Sequence, residues 1–230
     1  SMASLTRKVQ IATLLGTIQS TFTNFGYLRK RWLVNTGEDR LLGVSLTGIM
    51  DSPMLNGKEK GLEKRLQTLR GVAVEANKYW ADKFGINQST AITCVKPSGT
   101  VSQLVDSASG IHARHNPYYI RTVRGDNKDP LTEFLIDSGI PNEPDVMKRE
   151  HTTVFSFPMK APKGSVCRDD MTAIEQLELW LIYQKHWCEH KPSVTISVKE
   201  HEWMGVGAWV YDNWNWMSGV SFLPFSDHTY

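Results

Sequence analysis

Runs with strand character and runs with helical period take turns along nearly the whole chain, and this alternation restricts the fold more than any other feature. Residues 5–30 carry helical spacing, with Val9, Ala12, Leu15, Ile18 and Phe22 three or four apart. Leu41 to Met50 is apolar, β-prone at Val44 and interrupted by Gly43 and Gly48, which predicts a strand with close backbone neighbours. Lys58 to Phe84 is helical through Leu62, Leu66, Leu69, Val72, Val74 and Tyr79, and Gly85 supplies a stop. Thr90 to Val95 is a short β-rich run ended by Pro97-Ser98-Gly99, with a short helix predicted from Thr100. The pattern then repeats: strand Tyr118–Val123, helix Pro130–Ser138, strand Thr152–Phe157, helix Met171–Glu189, strand Ser193–Val198, helix Glu200–Met217 and strand Val220–Phe225. Strands separated by helices predict an α/β fold with a mainly parallel sheet or barrel.

Gly125–Pro130 and Pro158–Asp169 read as surface loops, and neither a repeat nor a low-complexity linker divides the chain. Residues 1–3 are expected as a disordered remnant of tag removal, and 4–230 as a single α/β domain. A chain of 230 residues can bury a sizeable core. With 26 Lys+Arg against 24 Asp+Glu, the charge of +2 argues against a nucleic-acid coat or a polybasic membrane binder. No apolar run reaches membrane-spanning length, and the first residues carry no secretory pattern. Cys94, Cys167 and Cys188 lie far apart without a CxxC pair, which fits a reducing, cytoplasmic compartment.

The most informative stretch runs from Ala91 to Ser102 (AITCVKPSGTVS). A buried strand enters Pro-Ser-Gly-Thr and a helix follows, so free amides at the helix start make an anion site. Gly99 permits close approach of a phosphate, while Ser98, Thr100 and Ser102 offer hydroxyls. An ordinary turn with a Ser/Thr cap explains the same spacing. The next loop crowds His112, Arg114, His115 and Asn116 beside Tyr118 and Tyr119, either as a polar ligand surface or as a solvated loop.

His186-Trp187-Cys188-Glu189-His190 matches the H-x-x-E-H zinc-hydrolase pattern, with both histidines on one helical face. Lys191-Pro192 ends that helix at once, and histidines complementing a helix C-terminus are the better reading. In the Trp-rich tail, Trp203, Val206, Val210 and Trp214 recur at helical spacing, favouring a core or interface face over a stacking platform. None of the cysteines sits in a pattern that marks a nucleophile.

With these residues laid out, the chain resembles the adenosylcobalamin-dependent (class II) ribonucleotide reductases, closest to the monomeric type acting on ribonucleoside triphosphates. The matching blocks are Thr23–Lys30 (TNFGYLRK), Arg40–Asp51 (RLLGVSLTGIMD), Lys96–Ser102 (KPSGTVS), Ser109–Arg124 (SGIHARHNPYYIRTVR), His190–Trp203 (HKPSVTISVKEHEW) and Ser218–Tyr230 (SGVSFLPFSDHTY). The resemblance implies the C-terminal portion of the family's ten-stranded α/β barrel. It also implies that Pro97, Ser98, Gly99, Thr100, Val101 and Ser102 meet the substrate's phosphates, and that His112, Arg114, His115 and Asn116 lie near the corrin-facing mouth.

The family abstracts a substrate hydrogen with a cysteine thiyl radical, carried on an Asn-Pro-Cys-x-Glu loop and generated from adenosylcobalamin. No Asn-Pro-Cys occurs in this sequence, and no cysteine matches the pair that reduces substrate or the tail pair recharged by thioredoxin. The expectation is therefore a fragment or split subunit, silent alone, that joins a complementing chain bearing the N-terminal barrel half and the radical loop. The alternatives are a non-catalytic nucleotide- or phosphate-binding module and, less well supported by the sequence, a zinc hydrolase using His186, Glu189 and His190.

Overall fold

The computed structural model describes residues 1–226. Its contacts divide the chain into two compact units: residues 1–113 together with the chain from Gly164 onward, and Arg114–Lys163.

The first unit opens with α1 (Met2–Gln19), so Met2 and Ala3, expected as a disordered remnant, stand in its first turn. The helix stops well short of Lys30. Ser20 Oγ and Thr21 Oγ1 donate to the Thr17 and Ile18 carbonyls at 2.7 Å, so side chains satisfy groups that a further turn would have used. A second helix, α2 (Lys30–Asp39), follows and buries none of its residues. The buried face of α1 is Val9, Thr13 and Thr17, whereas Leu15, Ile18 and Phe22 from the expected apolar stripe are exposed. Thr13 and Thr17 tolerate burial because each hydroxyl donates to the carbonyl four residues back at 2.8 Å.

The expected strand after α2 shortens to β1 (Val44–Ser45), followed by a 3-10 turn at Ile49–Asp51. The long helix α3 (Leu62–Phe84) packs along α1 and buries Leu62, Leu66, Leu69, Ala73, Asn77 and Ala81 at helical spacing. Gly85 ends it in the left-handed conformation, as the sequence predicts. Next, β2 (Thr93–Cys94) pairs parallel to β1, with Ser45 opposite Cys94, and leads into the single turn of α4 (Val101–Leu104).

The second unit holds β3 (Tyr118–Asp126), α5 (Pro130–Asp137), β4 (Asn142–Pro144) and β5 (Thr152–Lys160). Its sheet has the order β3-β5-β4 and is antiparallel throughout, unlike the mainly parallel pairing expected of the whole chain. Gly125 and Asp126, and Pro158 to Lys160, belong to its strands and not to the loops read from their turn-forming residues.

Back in the first unit, α6 (Ala173–His186) starts from a capping box in which Thr172 and Glu175 satisfy each other's amides. Then β6 (Val194–Val198), α7 (Trp203–Asp212) and β7 (Val220–Pro224) follow, with β6 and β7 parallel. The Ser193 amide donates to the Val95 carbonyl at 2.8 Å, tying the entry of β6 to the end of β2. The core gathers Ile49, Met50, Leu66, Leu69, Leu177, Trp180, Tyr183, Trp187, Ile196 and Val198, all fully buried. Val206 joins it from α7, while Trp203 and Trp214 stay at the surface. No helix among the described residues is long and apolar enough to cross a membrane.

Candidate functional site

Because β1 and β2 are parallel, the segments leaving their carboxyl ends come together, and there ligands of α/β sheets are usually held. Thr47 follows β1, and Pro97-Ser98-Gly99-Thr100 follows β2. The turn is open: Pro97, Gly99, Thr100 and Val101 are exposed and Ser98 is half-buried. The amides of Gly99, Thr100 and Val101 have no acceptor among the described residues, as expected where a helix begins. With only four residues in α4, those amides rather than a long helix dipole would attract an anion. Gly99 has an ordinary backbone angle, and a Cβ there would meet nothing within 4 Å, so its contribution is clearance.

Ser102 departs from its expected part. Its side chain is fully buried and its hydroxyl donates inward to the Ser98 carbonyl, so it braces the turn instead of facing outward.

Three residues that sequence reasoning did not single out fix the turn from below. The Ser98 amide donates to Ser109 Oγ at 2.9 Å, and Thr47 Oγ1 lies 2.9 Å from Ser98 Oγ. Asp51 Oδ2 accepts the Ala108 amide at 2.7 Å, and its Oδ1 accepts the Ser165 hydroxyl at 3.1 Å. Thr47 and Asp51 stand in the Arg40–Asp51 block and Ser109 opens the Ser109–Arg124 block, and block membership is the one signal the sequence offers for them.

His112 is a bridge between backbones. Its Nε2 accepts the Thr195 amide at 3.0 Å, which leaves the proton on Nδ1 to be donated to the Ser109 carbonyl, also at 3.0 Å. Burial pushes its pKa down, with the Ser109 bond opposing more weakly. The folded state therefore holds a neutral ring and the unfolded chain protonates first. Stability present above about pH 6.5 is expected to fall as the solution is acidified, at no more than about 1.4 kcal/mol per pH unit for one proton. Urea denaturation at successive pH values should show this slope, and His112→Gln should flatten it.

His115 is exposed, and its Nδ1 lies 3.1 Å from Asn116 Nδ2. Arg114 Nη1 donates to the Tyr119 hydroxyl at 3.2 Å. Arg114, His115 and Asn116 belong to the second unit and His112 to the first.

The H-x-x-E-H residues do not converge. Helix α6 ends at His186, so His190 lies beyond it and the expected shared helical face does not form. His186 Nδ1 meets Gln67 Nε2 at 2.9 Å, and His190 Nε2 donates to the Leu42 carbonyl at 2.7 Å. Glu189 Oε2 accepts the Ile92 and Thr93 amides at 2.8 and 3.3 Å, while its Oε1 is 3.4 Å from Arg70. No group of three or more His, Cys, Asp or Glu among the described residues is placed to hold a metal. All three cysteines are buried and free, and burial raises the pKa of both Cys94 and Cys188.

No protein-family model matches the chain. It is 34% identical over 140 residues to the adenosylcobalamin-dependent ribonucleoside-triphosphate reductase of Euglena gracilis, covering 60% of this chain and 19% of that protein. The enzyme of the same name from Lactobacillus gasseri is 26% identical over 233 residues, which are 89% of this chain and 31% of that one. A probable enzyme of this kind from Dictyostelium discoideum is 30% identical over 194 residues, 83% of this chain and 25% of its own. This chain is a relative of part of the class II ribonucleotide reductases. In three dimensions, a crystal structure of a B-12-dependent (class II) ribonucleotide reductase matches 84% of the chain and 30% of its own length, with a TM-score of 0.74 and 24% identity. The fold is thus the expected α/β one, a portion of the class II barrel, and the chain spans less than a third of the curated class II relatives named here.

Proposed function

We propose that the chain is a fragment or split subunit of a cytoplasmic adenosylcobalamin-dependent ribonucleotide reductase, to which it contributes the substrate phosphate site. The observation that carries this reading is the exposed turn at the carboxyl end of β2, where three amides in a row have no acceptor among the described residues. Gly99, Thr100 and Val101 would donate those amides, and Ser98 and Thr100 their hydroxyls, to the phosphates of a ribonucleotide, a triphosphate by resemblance. Pro97 sets the chain's entry and Ser102 braces it from inside.

Adenosylcobalamin would supply the radical in the complete enzyme. Of His112, Arg114, His115 and Asn116, only His115 is exposed, and both ring nitrogens of His112 are already bound to backbone, so His115 is the residue free to touch a corrin rim. A complementing chain must bring the Asn-Pro-Cys loop, and thioredoxin would reduce the assembled enzyme. The exposed apolar stripe of Leu15, Ile18 and Phe22 suits a polypeptide that more chain covers.

Two measurements test the proposal. Calorimetric titration with CTP should show binding that Gly99→Trp weakens about tenfold or more, while stability stays within about 0.5 kcal/mol because Gly99 is exposed and a Cβ there meets nothing within 4 Å. Given adenosylcobalamin and reductant, the chain alone should not turn over, and adding the barrel half with the radical loop should start turnover. Turnover by the unaided chain overturns the fragment reading. Nucleotide binding that no complementing half converts to turnover leaves the non-catalytic module.

A further inference from the structure

Thr47 Oγ1 has three neighbours and a single proton. The Gly110 amide donates to it at 3.0 Å, the Ala108 carbonyl lies 3.1 Å away, and Ser98 Oγ lies 2.9 Å away. Gly110 occupies one lone pair, so the remaining bonds have only two consistent arrangements. In the first, Thr47 donates to Ala108 and Ser98 must donate to Thr47, which spends the Ser98 proton inside the protein. In the second, Thr47 donates to Ser98, and the Ser98 proton is free to point out of the turn. The second arrangement leaves no buried acceptor bare, because the Ala108 carbonyl keeps the Gly48 amide at 2.7 Å.

We propose that Thr47 is a positioning residue whose hydroxyl reverses direction when an anion arrives, turning Ser98 from a donor to Thr47 into a donor to the bound phosphate. This deepens the phosphate-site reading and rests on it. No bond to carbon or phosphorus changes; two O–H groups rotate, and one Thr47–Ala108 hydrogen bond is exchanged for one from Ser98 to a charged oxygen. Hydrogen bonds to charged groups are the stronger kind, so the exchange favours the liganded state. The device also keeps Ser98 satisfied when nothing is bound.

The experiment uses the 230-residue chain, inorganic tripolyphosphate as the probe, and four variants: Thr47→Val, Thr47→Ser, Ser98→Ala and the Thr47→Val/Ser98→Ala double. Thr47→Val should weaken tripolyphosphate binding roughly tenfold or more, Thr47→Ser should restore it, and the double variant should bind no worse than Ser98→Ala alone. Additive losses, or wild-type affinity in Thr47→Val, overturn the proposal. A second reading needs no ligand: Gly110 amide hydrogen exchange should quicken in Thr47→Val and not in Thr47→Ser. Unchanged exchange overturns the Thr47 contact itself, even where the wild type binds. A wild type that binds no tripolyphosphate, with Gly110 exchange responding as expected, instead overturns the phosphate reading and with it the reversal.

Discussion

Replacing Trp187 by alanine is expected to remove about 3–5 kcal/mol of folding stability, the usual cost of deleting a large aromatic side chain from a packed core. Trp187 caps α6 and is fully buried beneath β2. Its indole N–H donates to the Cys94 carbonyl at 2.7 Å, and its own carbonyl accepts the Thr93 hydroxyl at 2.5 Å. One residue thus fastens the end of the longest helix after the second unit to both residues of β2. Trp187→Phe should cost far less, about 1 kcal/mol beyond any packing loss, because the Cys94 carbonyl retains the Leu46 amide at 3.4 Å. Urea denaturation followed by circular dichroism checks both values. An alanine variant within 1 kcal/mol of wild type would mean that this wall of the core collapses without penalty, contrary to the packing described.

Gly110→Ala should do nearly as much harm, and do it at the site. Gly110 sits at φ +54°, in the left-handed region, and a Cβ there would stand 3.0 Å from the Lys96 carbonyl oxygen. That oxygen is backbone, so relief requires the chain entering Pro97 to move. A loss of about 2–3 kcal/mol is expected from the backbone strain and the clash together, with tripolyphosphate affinity falling about tenfold or more as the turn shifts. Gly99→Ala is the matched control. Its Cβ has open space and its backbone angle is ordinary, so it should leave stability within about 0.5 kcal/mol of wild type. If the two alanine variants behave alike, the close approach at Gly110 does not shape the turn.

This contrast shows what the sequence discloses and what it hides. Pro97-Ser98-Gly99-Thr100 is legible because proline and glycine punctuate a chain locally, and the strand and helix around them follow from spacing within a dozen residues. The clamp beneath is not legible, since Thr47 meets Ser98 from 51 positions away and Asp51 meets Ala108 from 57. Nothing in a threonine's immediate neighbours announces a partner at that distance. Periodicity found α3 and α6 nearly whole, yet of the stripe it named on the first helical stretch only Val9 is buried, and threonines that bond their own helix complete that face in place of the other apolar residues. The strand β4, Asn142-Glu143-Pro144, is exposed throughout and has no alternation to read. The antiparallel sheet of residues 114–163 escaped because strand spacing alone does not distinguish a neighbour running alongside from one running back.

The sulfur atoms carry a last implication. Cys94, Cys167 and Cys188 are withdrawn from solvent, and burial holds Cys94 and Cys188 in the thiol form. A dithiol carrier approaching this polypeptide from outside meets no exchangeable sulfur on its surface. In the proposed assembly, electrons would have to travel by a route that avoids these three sulfurs.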